Sequence, residues 1–214
     1  MTDNRLFVAQ DTIGAAGESS WMSAKASKMG FQIVTDFYTQ MAIEQRAFQV
    51  RAGTISVPLV GDVTLTDAVA EMCVDAATGT TVIPVYTNVS FNLAADTLFE
   101  SAGKSQAAIS ASGTAFIPLP LYSGGVASTC IARVAAAGGV GVAGELATTV
   151  RRHWSWSQPI AAGAWDTWYD WEPRTPPILA GPACYYVQIA GGPTTAPSYF
   201  ASFDYIELPT TAVS

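Results

Sequence analysis

Short segments in which apolar and polar residues alternate, separated by glycine and proline, dominate the sequence from residue 82 to residue 208. In the clearest segment, residues 82–93, one face would carry Val85, Thr87, Val89, Phe91 and Leu93, and the other face the polar residues between them. A period of two is typical of an antiparallel strand with one buried face. Similar segments predict strands at 114–122, 129–135, 140–150, 151–158, 167–172, 183–190 and 199–208.

These segments predict an all-β fold, because no long amphipathic helix alternates with them as a βαβ sheet would require. Regular short strands punctuated by glycine and proline indicate an antiparallel β-sandwich of about 8–10 strands. We assign residues 31–208 to this sandwich, residues 1–30 to an extended N-terminal arm or loop, and residues 209–214 to a C-terminal tail. The arm is small and polar, and Trp21 and Met22 are its expected anchors.

The composition is poor in charge: 50% of the residues are hydrophobic and 13% are charged, where an average soluble domain has about 25% charged residues. No run approaches the roughly 20 apolar residues of a spanning helix, so we expect other subunits to cover part of the surface. The net charge of −7 and the scattered basic residues argue against nucleic-acid contact. The N-terminus lacks the basic and apolar regions of a signal peptide, which predicts assembly in the cytoplasm of the cell that makes the chain.

The residues that usually carry chemistry are sparse, so the sequence predicts no catalytic residue, no metal site and no cofactor. His153 is the only histidine, and we expect it on the surface or in an interface. Cys73, Cys130 and Cys184 are more than 50 residues apart, which gives no CxxC pair and predicts buried free thiols. Residues 139–144 match the spacing GxGxxG, but without a βαβ context they are interpreted as a turn.

Aromatic residues are concentrated in one segment, residues 154–171, which holds five of the six tryptophans. If residues 165–171 form a strand, Trp165, Tyr169 and Trp171 point to one side and Trp168 to the other. Both faces are then aromatic, which favours a sandwich core on one side and an intersubunit contact on the other. A platform that stacks on sugar rings is the alternative. The candidate residues for either role are Trp154, Trp156, Trp165, Trp168, Tyr169 and Trp171.

Three carboxylates in the same region, Asp166, Asp170 and Glu172, would share one face of a strand. A glycosidase needs two carboxyl groups on opposite sides of the scissile bond, and closeness in sequence does not establish that arrangement. We therefore favour a solvated strand face and keep hydrolysis as a third hypothesis.

Three segments carry a resemblance to known proteins: DFYTQ at 36–40, GTTVIPVY at 79–86 and SYFASFDY at 198–205. Together with the low charge and the flexible arm, they resemble the jelly-roll structural proteins of viruses and phages, a similarity of style that spans most of residues 31–208. The resemblance implies a single jelly roll and a capsid, cement or other virion subunit. It also implies partners that are copies of the chain, in a trimer or higher ring, or other virion proteins.

The arm departs from the pattern of capsid subunits that touch the genome, because its three basic residues are matched by three acidic ones. This favours an outer or auxiliary position in a particle. We therefore expect a self-assembling virion structural protein that is not an enzyme. The alternative is a carbohydrate-binding β-sandwich module that uses residues 154–171.

Overall fold

The computed structural model describes residues 7–9, 21–23, 37–54, 56–91, 97–135, 139–144, 146–160, 167–192 and 196–213. Its helices are α1 (Phe37–Ile43) and a single 3-10 turn (Thr210–Ala212). Its strands are β1 (Phe7–Ala9), β2 (Trp21–Ser23), β3 (Ala47–Ala52), β4 (Leu59–Val60), β5 (Val69–Ala70), β6 (Met72–Ala76), β7 (Thr80–Phe91), β8 (Thr97–Gln106), β9 (Thr114–Phe116), β10 (Leu119–Pro120), β11 (Ile131–Val134), β12 (Val140–Gly141), β13 (Arg151–Ile160), β14 (Thr167–Trp171), β15 (Leu179–Ala180), β16 (Ala183–Gly192) and β17 (Ser198–Pro209).

Two antiparallel sheets pack face to face, which confirms the predicted all-β sandwich. One has seven strands in the order β10-β3-β17-β7-β14, with β4 on β17 and β15 on β7, and the other has six in the order β13-β8-β16-β6-β11-β9. Rings from the two sheets meet in the core: Phe203 lies edge-on to Tyr185 with centroids 5.2 Å apart, and Phe91 stacks on Phe99 at 4.2 Å.

The long strands pair in a nested order. In the described part of the chain, eight strands have five residues or more: β3, β6, β7, β8, β13, β14, β16 and β17. The first of them pairs with the last, the second with the seventh, the third with the sixth and the fourth with the fifth. These four antiparallel pairs alternate between the two sheets. The first four long strands therefore pair in order with the last four, and each successive pair lies on the opposite side of the core.

Strand β17 shows why the alternating pattern produces this core. From Tyr199 to Tyr205 every second side chain is buried, as a strand with one covered face requires. On its neighbour β7 the pattern is shifted at Val85 by a bulge, because Asp204 pairs with Tyr86 while Tyr205 pairs with Pro84. A proline is tolerated in a central strand at such an irregularity. Val85, predicted on the buried face, is therefore only partly buried.

Three long strands, β3, β6 and β8, were not among the predicted strands, and one predicted strand is wrong. Strand β6 is buried at all five positions, and β8 is buried from residue 101 to residue 106, so neither shows an apolar–polar alternation. The strand expected at 140–150 shrinks to β12, and residues 146–149 form turns. A small sheet of β5 and β12 lies on the outer face of the six-stranded sheet, where Ala70 and Val140 pack with Tyr186. This extra layer explains why β6 is covered on both sides.

Within the predicted arm, β1 and β2 pair as a short antiparallel unit, with Ala9 opposite Trp21 and Val8 opposite Met22. The anchoring role of Trp21 and Met22 and the domain boundaries at residues 30 and 208 stay predictions. Among the described residues, no helix has the length and apolar character needed to cross a membrane.

Glu71, between β5 and β6, is a buried carboxyl group that should make stability depend on pH. It is 2% exposed, and its Oε2 accepts the backbone N–H of Ile189 at 2.6 Å. Burial raises its pKa well above the usual value, and the charge of Asp62 adds to the shift. A raised pKa in the folded state means that stability is full below the pKa of the unfolded chain and is lost as the pH rises through the folded pKa.

We predict that Glu71→Gln removes this loss, because the amide keeps an acceptor oxygen and never ionises. The free energy of unfolding, measured with urea at pH 5, 7 and 8, should fall less with rising pH in the variant than in the parent. Glu172→Gln, a change at an exposed carboxyl, is the control and should leave the parent's pH dependence in place. An equal slope in parent and Glu71→Gln would contradict the prediction.

Candidate functional site

Four of the predicted aromatic residues meet between the two sheets. Strands β13 and β14 are the last strands of their sheets on the same flank of the sandwich. The ring of Tyr169 lies 5.1 Å from Trp154 and 5.5 Å from Trp156, and Trp171 lies 6.2 Å from Trp154. These contacts close the open edge between the sheets.

Trp154 is also fixed by a hydrogen bond and by the shape of its surroundings. Its indole Nε1–H donates to the hydroxyl of Tyr185 at 2.9 Å, and that hydroxyl lies 3.1 Å from Oγ1 of Thr87. Burial raises the pKa of Tyr185, so this hydroxyl stays protonated. Gly103 of β8 faces the indole so closely that any Cβ there would collide with the ring of Trp154.

Trp168 is the member of the set that points away from the core. Its side chain is 62% exposed, while Tyr169 and Trp171 pack against the core, which confirms the alternation predicted for these three residues. Trp165 lies outside the described residues. Among the described rings of the set, Trp168 is the one whose side chain is mostly exposed.

Beside Trp168, the outer face of the seven-stranded sheet carries hydrogen-bonded polar side chains. Oδ1 of Asp170 accepts the hydroxyl of Tyr86 at 2.7 Å and the amide of Asn88 at 2.6 Å. The bond to Asp170 raises the pKa of Tyr86 to about 12. In register, Trp168 lies opposite Ser90. An exposed indole next to oriented carboxylate and amide groups is an arrangement that can stack on and hydrogen-bond a sugar.

A second carboxylate on this sheet, Asp204, accepts the amide of Gln49 at 3.0 Å and the hydroxyl of Tyr38 at 3.0 Å. Burial raises its pKa. It was not predicted as a site residue. Through Tyr38 it fastens α1 to the sheet, so its contacts are structural.

Of the three carboxylates considered for hydrolysis, the structure describes Asp170 and Glu172. Asp170 contacts Tyr86 and Asn88, Glu172 is exposed just beyond the end of β14, and Asp166 lies outside the described residues. This geometry gives no support to a glycosidase site.

His153 lies at a bulge in β13, where the register with β8 shifts between Arg152 and Trp154. Its Nε2 lies 2.8 Å from Oγ of Ser105. Burial lowers the pKa of His153, and Arg151 contributes to the shift. Because Ser105 is itself buried, its hydroxyl is not presented to a substrate, and the pair serves to hold the two strands together.

A cleft of about 450 Å³ opens at the β13 side of the six-stranded sheet. Its lining includes Asp67, Glu100, Lys104, Arg152 and the edge of Trp156. The opposite charges offset each other, so the cleft suits a neutral polar ligand better than an anion such as phosphate.

A group of exposed apolar side chains lies on the flank opposite to the tryptophans. Strands β9 and β10 end the two sheets there, and the exposed residues of this stretch are Ile117, Leu119, Leu121, Tyr122 and Val126. We call these five side chains the apolar flank. Its backbone is held against the body of the domain, because the N–H of Leu121 donates to the carbonyl of Ala47 at 3.0 Å. The sequence pattern had predicted only a strand here.

Sequence spacing also missed a buried cluster on the outer face of the six-stranded sheet. All three cysteines are free and buried, as predicted. However, Cys73 and Cys184 lie on the neighbouring strands β6 and β16 and meet Asp75, so that the three side chains form one group. Burial raises the pKa of the Cys184 thiol, and Cys73 and Asp75 add to the shift. Spacing could not predict this group, because strand pairing creates it.

Comparison of the chain with models of protein families, with curated proteins and with solved structures finds no match.

Proposed function

We propose that the chain is a structural subunit of a virus or phage particle, built on a jelly roll and assembled through its apolar flank. The nested strand order supports the jelly roll, because that fold winds two Greek keys into two four-stranded sheets. The proposed role in a particle is supported by the resemblance of residues 36–40, 79–86 and 198–205 to virion proteins.

The apolar flank is the observation that carries the assembly proposal. Ile117 and Val126 are 60% and 61% exposed, and three further large apolar side chains lie between them in the chain. Monomeric proteins rarely leave such a group uncovered. The low charge of the whole chain, 13%, favours the same conclusion.

The flank is suited to contact by side chains rather than by strand addition. In the described part of the chain, β10 ends its sheet beyond β3, which leaves one edge open. Pro118 and Pro120 have no amide donor, and prolines of this kind block pairing with a strand from another chain. A partner copy would therefore pack on Ile117, Leu119 and Leu121 rather than continue the sheet.

The test is the mass of the native protein at high micromolar concentration. The parent should form a trimer or larger ring, and Ile117→Asp with Leu119→Asp should weaken assembly at least about 30-fold, since even one buried interface anchor is worth roughly 2 kcal/mol. Leu146→Asp is the matched control, because Leu146 is 96% exposed and lies outside the flank. A monomeric parent, or equal losses in both variants, would contradict the proposal.

Carbohydrate binding is the second candidate, and the exposed indole of Trp168 beside Asp170 and Asn88 is the observation that favours it. It predicts that an oligosaccharide quenches tryptophan fluorescence and that Trp168→Ala removes the quenching. This outcome with a monomeric parent would select the binding module over the particle subunit.

A further inference from the structure

Three side chains of types that bind zinc converge in a buried position. The sulfur atoms of Cys73 and Cys184 and a carboxylate oxygen of Asp75 all lie within 4.8 Å of one another. In register, Cys184 lies opposite Asp75, and Tyr186 lies opposite Cys73. Each of the three ligand residues is buried. The pairing of two neighbouring strands therefore places two thiols and one carboxyl on the same face.

The two thiols are placed for a shared ligand rather than for a disulfide. Cys73 and Cys184 occupy diagonal positions, where Cα atoms of an antiparallel pair are about 7–8 Å apart. A disulfide normally needs Cα atoms closer than about 7 Å. Two thiolates on one tetrahedral zinc ion, each about 2.3 Å from the metal, are instead about 3.8 Å from each other, which lies within the observed separation.

The carboxylate is oriented by its neighbours in the way that metal ligands are. Oδ1 of Asp75 accepts the backbone N–H of Ser110 at 2.7 Å, and Oδ2 accepts Oγ–H of Ser110 at 2.7 Å and Nε–H of Arg133 at 3.2 Å. Three of the four acceptor positions of a carboxylate are thereby used. The Cys184 thiol also hydrogen-bonds Asp75, and loss of the thiol proton would open that position to a cation. Outer hydrogen bonds of this kind hold ligands in metal sites.

We propose that Cys73, Cys184 and Asp75 bind one zinc ion, with the hydroxyl of Ser110 at the fourth position. Oγ of Ser110 lies 3.2 Å from the sulfur of Cys73, so it borders the same space. Two thiolates select a soft or borderline cation over calcium or magnesium. On binding, the two thiols release their protons to solvent.

The charges of the group balance when the ion is bound. Two thiolates and one carboxylate carry three negative charges, and a divalent cation with the guanidinium of Arg133 supplies three positive ones. A buried site is stable only when its charges are compensated in this way. The ion would tie β6 and β16 to Ser110 in the loop after β8, so its role is structural.

The experiment measures metal in the purified full chain, expressed with zinc in the medium. The parent should carry about one zinc per chain. Cys73→Ser and Cys184→Ser should each weaken zinc binding at least about 100-fold, above the effect of losing an outer partner. Cys130→Ser is the matched control, because Cys130 is also buried but contacts Ser128 instead, and it should keep the zinc. A Cys130→Ser variant without metal would overturn the assignment.

A second measurement holds even if the two serine variants fail to fold. The parent is unfolded, stripped with a chelator and refolded with cadmium, which should produce a thiolate-to-cadmium absorption band with one ion per chain. Ser110→Ala should fold and bind cadmium about 10–100-fold more weakly. The proposal would be overturned if the folded parent bound neither zinc nor cadmium at one ion per chain. It would also be overturned if the mass of the parent were two hydrogens lower and the difference mapped to a Cys73–Cys184 disulfide. Neither result depends on whether the chain assembles.

Discussion

Replacement of Trp154 by alanine should lower the free energy of unfolding by about 3–5 kcal/mol, the usual cost of emptying a buried indole position. The ring is 6% exposed and packs on Tyr169 and Trp171 between the two sheets. Gly103, which lies opposite Trp154 on the neighbouring strand β8, has no side chain to fill the cavity. The hydroxyl of Tyr185 would also lose its indole donor.

Trp168→Ala is the control for this experiment, since it makes the same chemical change at an exposed position. With the side chain exposed, we expect a change within about 0.5 kcal/mol. Urea unfolding of both variants gives the comparison, at a concentration where parent and variants share one oligomeric state, because assembly shifts apparent stability. Equal losses would show that the division between core and surface in this segment is wrong.

The comparison also separates two roles that the tryptophan-rich segment could have. If only Trp154→Ala destabilises the monomer, the inner rings belong to the fold, and any partner or sugar is left with Trp168. A variant at Trp168 that keeps its stability but loses assembly or ligand binding then reports on function alone.

Strands with one solvated face could be predicted from the sequence with nearly correct bounds. The expected strand at 151–158 corresponds to β13 (Arg151–Ile160), and that at 199–208 to β17 (Ser198–Pro209). From Tyr199 to Tyr205 in β17, buried positions alternate with partly exposed ones, because only one side of the sheet faces the core. The alternation is a direct consequence of that geometry.

Strands covered on both sides could not be predicted in this way. In β6 the polar side chain of Asp75 is buried along with its apolar neighbours, since the layer of β5 and β12 lies over it. In β8 the polar residues Lys104 and Gln106 are buried, although their polarity alone would indicate a face exposed to water. The pattern there reports polarity, whereas burial is decided by a layer that comes from distant parts of the chain.

The candidate sites show the same limit. The tryptophans were evident from composition, yet which rings face inward depends on the register of β13 and β14 on their sheets. Cys73 and Cys184 are far apart in sequence and become neighbours only because β6 pairs with β16. No spacing rule within a single segment describes such a pair.

Glu207→Ala should be the second strongly destabilising change, at about 2–5 kcal/mol. Oε1 of Glu207 accepts the N–H and the hydroxyl of Thr129 at 3.0 and 2.5 Å, and Oε2 accepts the hydroxyl of Ser128 at 2.5 Å. Hydrogen bonds to a charged acceptor contribute about 1.5–3 kcal/mol, and a buried donor left without a partner costs about 1–3 kcal/mol. Alanine removes all three acceptor contacts at once, whereas Glu207→Gln keeps one acceptor oxygen and should lose less.

The location of the damage distinguishes this loss from a general weakening of the core. Ser128 also accepts the N–H of Cys130, so release of residues 128–130 from β17 should uncover the Cys130 thiol. We therefore expect Cys130 in Glu207→Ala to react with a thiol reagent well before Cys73 and Cys184, since these two lie under the separate layer of β5 and β12. Glu172→Ala removes an exposed carboxyl and should change neither stability nor labelling. Uniform labelling of all three cysteines would mean that Glu207 supports the whole sandwich rather than this loop, because only global unfolding exposes them together.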